Sequence, residues 1–202
     1  MKVLVLTNPE HVRFVTQELL RYFSFDFLVR FTGEYDWSEE YDVGISFMYQ
    51  YRVPKEQLDR PWFNFHPGPL PEYKGRNLCY NALMNGEREF GATLHYMDED
   101  FDTGAIIKVS RFPIEDHWCA DDLSRATFQE SERLFSKYLP RILGGYIFPT
   151  VENRGGKYYR KEEIDDLLYL PEDIENKIRA ITYKEFCPRI RIGDQVFKVV
   201  RE

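Results

Sequence analysis

Asn64 and His66 lie two positions apart at the end of an apolar run of strand length, WFNFH. Alternate residues of a strand point to the same side, so an amide and an imidazole can converge there on one atom. The carboxyl end of a strand, facing a loop, is also where open α/β sheets bind ligands. Asp102 follows in an acidic loop, Asp98 to Gly104, beside Thr103. A carboxylate near an imidazole orients the ring, raises its basicity and stabilises its charged form. Taken singly, each residue also has an ordinary reading. An Asn before a turn commonly bonds locally, a His before Pro commonly supports structure, and the Asp of DEDFDTG can hold a turn. That string lacks the further oxygen ligands and closing Glu of a calcium loop, so no metal is expected.

The elements that must position these residues follow from the surrounding pattern. Lys2 to Thr7 is rich in Val and Leu and suits a strand buried on both faces. A helix is predicted from about His11 to Phe23, with Val12, Val15, Leu19 and Tyr22 on one face. Strands are predicted over Phe25 to Phe31, Asp42 to Tyr49 and Trp62 to His66, with a polar connection over Gly33 to Glu40. Strand, helix, strand with short connections implies an α/β sheet that begins parallel. His66 to Arg76 holds three prolines and two glycines and reads as a loop. A helix over about Asn77 to Met84 should stop at Asn85-Gly86. Gly91 to Met97 and Ala105 to Phe112 read as strands flanking the acidic loop. A long helix over Ala120 to Leu143 should stop at Gly144-Gly145, with Pro140 bending it or ending it early. Beyond Pro149 the character changes. A basic connection, GGKYYRKEE, precedes a short helix near Pro171 to Ile181. Pro188 to Val200 then reads as a hairpin turning at Gly193-Asp194. The expected organisation is a catalytic domain over 1–149 and a C-terminal extension over 150–202.

Composition sets outer limits. Of 202 residues, 43% are hydrophobic and 30% charged, ordinary for a globular chain with a sizeable core. The formal net charge of −7 argues against a nucleic-acid-binding surface. MKVLVLTN is too short for a signal-peptide core, and no stretch reaches bilayer-spanning length. Three cysteines, odd in number and far apart (Cys79, Cys119, Cys187), form neither a zinc pattern nor a disulfide framework. Reduced thiols in the cytoplasm, without a membrane partner, are the expectation.

NFHPGPLPEYKGRN followed by GATLHYMDEDFDTGAII resembles the folate-dependent formyltransferase family. The likeness rests on Asn64-Phe65-His66-Pro67, Leu70 to Gly75, Gly91 to His95 and Asp102 to Gly104, in that order and at long spacing. The resemblance implies a Rossmann-like mixed, mostly parallel sheet flanked by helices, with a short C-terminal helix and β-hairpin extension. It also implies a formyl donor, 10-formyltetrahydrofolate, and a catalytic set of Asn64, His66 and Asp102. An amine attacking the formyl carbon creates a negative oxygen, to which Asn64 and a protonated His66 would donate hydrogen bonds. His66 and Asp102 would manage the proton that leaves the amine and the one that reaches the folate nitrogen. By the same resemblance the pterin would enter beside Ser46, Phe47, Met48 and Tyr49 and the backbone of Asp98 to Asp102, Asp100 included. The chain before Asn64 is short for the family, which implies that a strand–helix unit is missing.

Departures from the family narrow the acceptor. No room is expected for the further RNA-binding domain of the tRNA enzymes. Thr7-Asn8-Pro9-Glu10 stands where glycinamide-ribonucleotide enzymes carry a glycine-rich phosphate loop. The chain most resembles the branch acting on nucleotide-linked amino sugars, which implies a role in surface polysaccharide synthesis. Candidate sugar-nucleotide contacts are Tyr73, Lys74, Arg76, Asn77 and Tyr80, then Tyr158 and Arg160. Lys74 and Arg76 suit a diphosphate, and the tyrosines suit stacking. The bland alternative for the two cations is solvated loop charge. His95, within the signature strand, reads as a support residue. The terminal hairpin has edges to cover, which suggests a homodimer. A 10-formyltetrahydrofolate hydrolase, a transferase to another small amine and a non-catalytic binder are the competing classes. The triad predicts that Asn64→Ala and His66→Ala each lower turnover by about 10²–10³-fold or more, the loss typical of an oxyanion donor. Steady-state assays of the folded variants check this, and near-normal rates in either would end the triad reading.

Overall fold

The computed structural model describes residues 1–22, 24–30, 35, 37–160, 174–183, 187–192 and 194–198. Its centre is a six-stranded sheet in the order β2-β1-β3-β4-β6-β7. These strands are β1 (Lys2–Thr7), β2 (Asp26–Arg30), β3 (Val43–Phe47), β4 (Trp62–His66), β6 (Glu89–Tyr96) and β7 (Ile106–Pro113). β1 pairs in parallel with β2 and β3, and β3 with β4; β4–β6 and β6–β7 are antiparallel. The mixed sheet is therefore as expected, with its change of direction at β4, the strand that carries Asn64 and His66.

Alternation along the strands sorts the core into layers. Val3 and Val5 of β1 and Phe63 and Phe65 of β4 join one cluster with Val15 and Leu19 of α1 (Val12–Leu19) and Leu134, Phe135 and Leu139 of α3 (Ala120–Leu143). Leu4, Leu6 and Trp62 join another with Tyr41 and Val53. Period-two alternation thus puts Asn64 and His66 on the face of β4 away from Phe63 and Phe65. Trp62 is wedged tightly. A Cβ on Gly44, its cross-strand partner, would lie 2.1 Å from the indole, whose Nε1 already donates to Gln57 O at 3.1 Å.

A third cluster joins Leu78, Tyr80 and Leu83 of α2 (Leu78–Met84) to Tyr73, Phe90, Leu123 and Tyr159, and to Ala180 and Ile181 of α4 (Ile174–Ile181). Arg179 of α4 donates to the carbonyls of Trp118 and Glu115, stapling α4 to the turn that precedes α3. The segment expected to be all loop contains a short strand, β5 (Tyr73–Gly75), paired in parallel with β8 (Lys157–Tyr159). Local proline content hid this pairing because the partner lies far along the chain. Pro140 does not end α3. Leu139, Ile142 and Leu143 are all buried, and their packing holds the last turn to Leu143. The hairpin is β9 (Arg189–Ile192) and β10 (Gln195–Lys198), a separate two-stranded unit. Phe23, Phe31, residues 33–34, Asp36, residues 161–163 and 171–173, Gly193 and residues 199–200, all within elements or connections expected from sequence, lie outside the described residues. No helix among the described residues is long and apolar enough to cross a membrane.

Candidate active site

Antiparallel pairing of β4 with β6 sets Asn64 opposite His95 and His66 opposite Thr93, all four on one face of the sheet. Thr93 is fully buried, and its hydroxyl donates to Gly68 O at 2.7 Å while accepting from Leu70 N–H at 3.0 Å. Those two bonds pin the proline-rich loop across the sheet. The loop delivers two backbone groups to the site. The Tyr73 carbonyl lies 2.8 Å from His66 Nε2, and Gly75 N–H donates to Asp102 Oδ2 at 2.9 Å. Gly75 has φ +91°, and a Cβ there would lie 2.2 Å from Tyr159 O, so β8 can approach only a glycine.

Asp102 completes the set. Its Oδ1 lies 3.1 Å from His66 Nδ1, 3.5 Å from Asn64 Nδ2 and 3.9 Å from His95 Nε2. The residue is left-handed at φ 58°, uncommon for a side chain other than glycine. Asn153, from beyond β7, holds this backbone by donating Nδ2 to the carbonyls of Asp102 and Gly104 at 3.0 and 2.9 Å. A Cβ at Gly104 would meet Tyr96 O at 1.9 Å, which explains the Asp-Thr-Gly sequence. Met48 and Asn77 are the other non-glycine residues at positive φ among those described, both in segments nominated for ligand contact.

The charges are sharply divided. Burial acts to neutralise Asp102, only 9% exposed, but the His66 charge and hydrogen bond, with His95 and Gly75 N–H, bring it down to about 2. Burial likewise works against a charged His66. The Asp102 carboxylate and the Tyr73 carbonyl outweigh it and hold the ring above its ordinary value. With an acceptor on each nitrogen, His66 is an imidazolium whose two N–H groups are both committed. This amends its expected role as a direct oxyanion donor: the Nε2–H faces a carbonyl and the ring is 3% exposed. His95, its Nε2 3.9 Å from Asp102 Oδ1, is pushed the other way, by burial, down to about 4.

Asn64, His66 and Asp102 are therefore brought together as expected. The surrounding contacts are uneven. Phe47 is fully buried against Phe14, Phe65 and Phe135, so its side chain can only back a ligand pocket. Met48 is buried and Tyr49, partly exposed, packs against Tyr51. Asp98 and Asp100 turn their carboxylates to Thr103 and Arg52. Tyr73 and Tyr80 do not stand as sugar contacts. Tyr73 stacks on Tyr159 and bonds Glu87 and Asn85, and Tyr80, 5% exposed, is sealed among the apolar residues of α2 and α4. Lys74 is buried, 8% exposed, and makes no ion pair among the described residues. Arg76 is exposed and reaches Gln50 O at 3.1 Å; Asn77 is half-buried, and Tyr158 and Arg160 are exposed. Sequence reasoning missed Asn153 and the two backbone groups of β5. No motif marks Asn153, and backbone donors carry no residue signature.

A family model described as formyl transferase matches residues 39–139, half of the chain. A methionyl-tRNA formyltransferase from a Hydrogenobaculum species is 28% identical over 184 residues, which cover 87% of this chain and 55% of that protein. A GDP-perosamine N-formyltransferase of Brucella melitensis is 31% identical over 167 residues, 78% of this chain and 64% of that protein. The chain thus spans 55% and 64% of the length of these two relatives. The X-ray structure of a sugar N-formyltransferase from a Shewanella species superposes with a TM-score of 0.84 at 19% identity, covering 98% of this chain and 96% of that one. With its signature residues gathered around one buried carboxylate, the chain belongs to the formyl transferase family.

Proposed function

We propose that this chain transfers a formyl group from 10-formyltetrahydrofolate to the amino group of a nucleotide-linked amino sugar, in the cytoplasm, for surface polysaccharide such as lipopolysaccharide O-antigen. The observation that carries the reaction is the convergence of Asn64 and the His66–Asp102 ion pair on one face at the end of β4. Asn64, the least buried of the three, donates through Nδ2 to the oxygen that becomes negative when the amine attacks. The imidazolium of His66, fixed between Asp102 and Tyr73 O, stabilises the same charge through its field in a site largely closed to water. The amine loses a proton and the folate nitrogen gains one, and the ionised Asp102 carboxylate, steadied by the His66 imidazolium, is the group able to relay it. For the folate, Met48, Tyr49 and the backbone of Asp98 to Asp102 form the candidate edge, with Phe47 behind them.

The acceptor reading draws on likeness and charge. A GDP-perosamine N-formyltransferase is 31% identical over 167 residues, and the fold superposes on that of a sugar N-formyltransferase with a TM-score of 0.84. Its net charge of −7 opposes an RNA acceptor, since phosphate contacts supply most nucleic-acid affinity. Lys74, Arg76, Asn77, Tyr158 and Arg160 remain as sugar-nucleotide contacts. Lys74 has no anion of its own among the described residues, which suits a diphosphate. Val196 and Phe197 are about half exposed on the terminal hairpin, and a homodimer through that hairpin would cover them.

Purified protein with 10-formyltetrahydrofolate should release tetrahydrofolate only when a dTDP-, UDP- or GDP-linked amino sugar is added. Release without amine would mark a hydrolase instead, and formylation of methionyl-tRNA alone would overturn the acceptor. Asp102→Asn removes the charge that supports the His66 imidazolium. The alkaline fall in kcat, which follows loss of the His66 proton, should then move to lower pH. An unmoved limb in the folded variant would separate His66 from the reaction. Sedimentation at micromolar concentration should give a dimer, and monomer alone would remove the hairpin interface.

A further inference from the structure

Asn64 carries an acceptor and a donor on one rotatable amide, and only the NH2 end can stabilise an oxyanion. His95 stands where it can select between them. Its Nδ1 lies 2.6 Å from Tyr96 O, an acceptor, so Nδ1 bears the proton. The ring is buried, which drives it down to about 4 despite the pull of Asp102, so at neutral pH it holds no second proton. Nε2 is then a bare lone pair, 3.0 Å from Asn64 Nδ2. The other group facing Nδ2 is Asp102 Oδ1, also an acceptor. An amide turned over would aim its oxygen at an imidazole lone pair and a carboxylate together, in a site with little water to screen them. The strand itself places the ring. His95 is the cross-strand partner of Asn64, and the β6–β7 register shifts between Leu94 and His95, a kind of irregularity that re-aims side chains beside active sites.

We infer that His95 is a positioning residue that sets the direction of the Asn64 amide. In its Nδ1–H form it accepts one Nδ2 hydrogen and leaves the other for the oxyanion. That second hydrogen has only a 3.5 Å contact with Asp102, at the limit of a hydrogen bond, so little is lost when it turns to a ligand. The inference rests on the formyl-transfer reading, but its structural half is open to measurement without turnover.

Nitrogen-15 NMR of the histidine-labelled protein at pH 7 should show His95 as the Nδ1–H tautomer; the Nε2–H tautomer or a charged ring would overturn the inference. His95→Leu should lower kcat by about 10²-fold, the scale of a lost oxyanion donor, with KM for both substrates little changed. His95→Gln, whose amide oxygen can accept from Nδ2, should restore most of that loss. In an Asn64→Ala background His95→Leu should add little, as expected for residues acting as a unit. Full additivity, or an unchanged kcat in folded His95→Leu, would overturn it. A wild type with the Nδ1–H tautomer but no formyl transfer would sink the proposed reaction while supporting the orienting contact.

Discussion

A carboxylate held almost out of water governs this architecture. An ionised group so buried is costly unless neighbours compensate it, and Asp102 is compensated by donors from separate segments. His66 comes from β4, and Gly75 N–H from β5. The backbone of Asp102 is itself held by Asn153 from beyond β7. Removing either donor leaves the buried charge only partly compensated, so the segments are bound to one another through the site as well as through the core. That explains why a three-residue strand in a proline-rich loop is paired at all. Pairing with β8 fixes both Tyr73 O and Gly75 N–H, the two backbone groups that the ion pair needs.

The sheet supplies the rest by geometry. β4 is parallel to β3 on one side and antiparallel to β6 on the other. An antiparallel neighbour brings residues directly opposite one another onto the same face, so one strand pair presents four polar side chains together. The opposite face of the same strands carries Phe63, Phe65, Ala92 and Leu94 into the core against α3. Strand alternation therefore separates chemistry from packing at single-residue resolution, and a one-residue slip of β4 would exchange them.

This division also marks what was readable from sequence. WFNFH announces a strand with two polar residues in phase, and the positions of Asn64 and His66 follow from period two alone. Asp102 was legible from its place in an acidic loop between two strands and from the family likeness over Asp102 to Gly104; its left-handed backbone and the crowding at Gly104 are what the structure adds. What remained hidden depends on distant partners. β5 exists only because β8 reaches it, Pro140 stays helical because its neighbours pack, and Tyr73 and Tyr80 are buried by α2 and α4. Tyrosines beside a catalytic loop suit a ligand equally well by composition, and only packing decides against it.

Asp102 also forces its two histidine neighbours apart. Its Oδ1 lies nearer His66 than His95, by 3.1 against 3.9 Å. Burial takes His95 down to about 4, with the charged His66 adding to it against the pull of Asp102, while His66 is held above its usual value. Titratable groups pushed in opposite directions by a shared environment are assigned opposite roles. One imidazole serves as a fixed positive charge and the other as a fixed acceptor. Asn64 lies within reach of the acceptor ring and the carboxylate together, so its donor end is set before any ligand arrives. Preorganisation of this kind needs little rearrangement when charge develops, which is where such a site outperforms water.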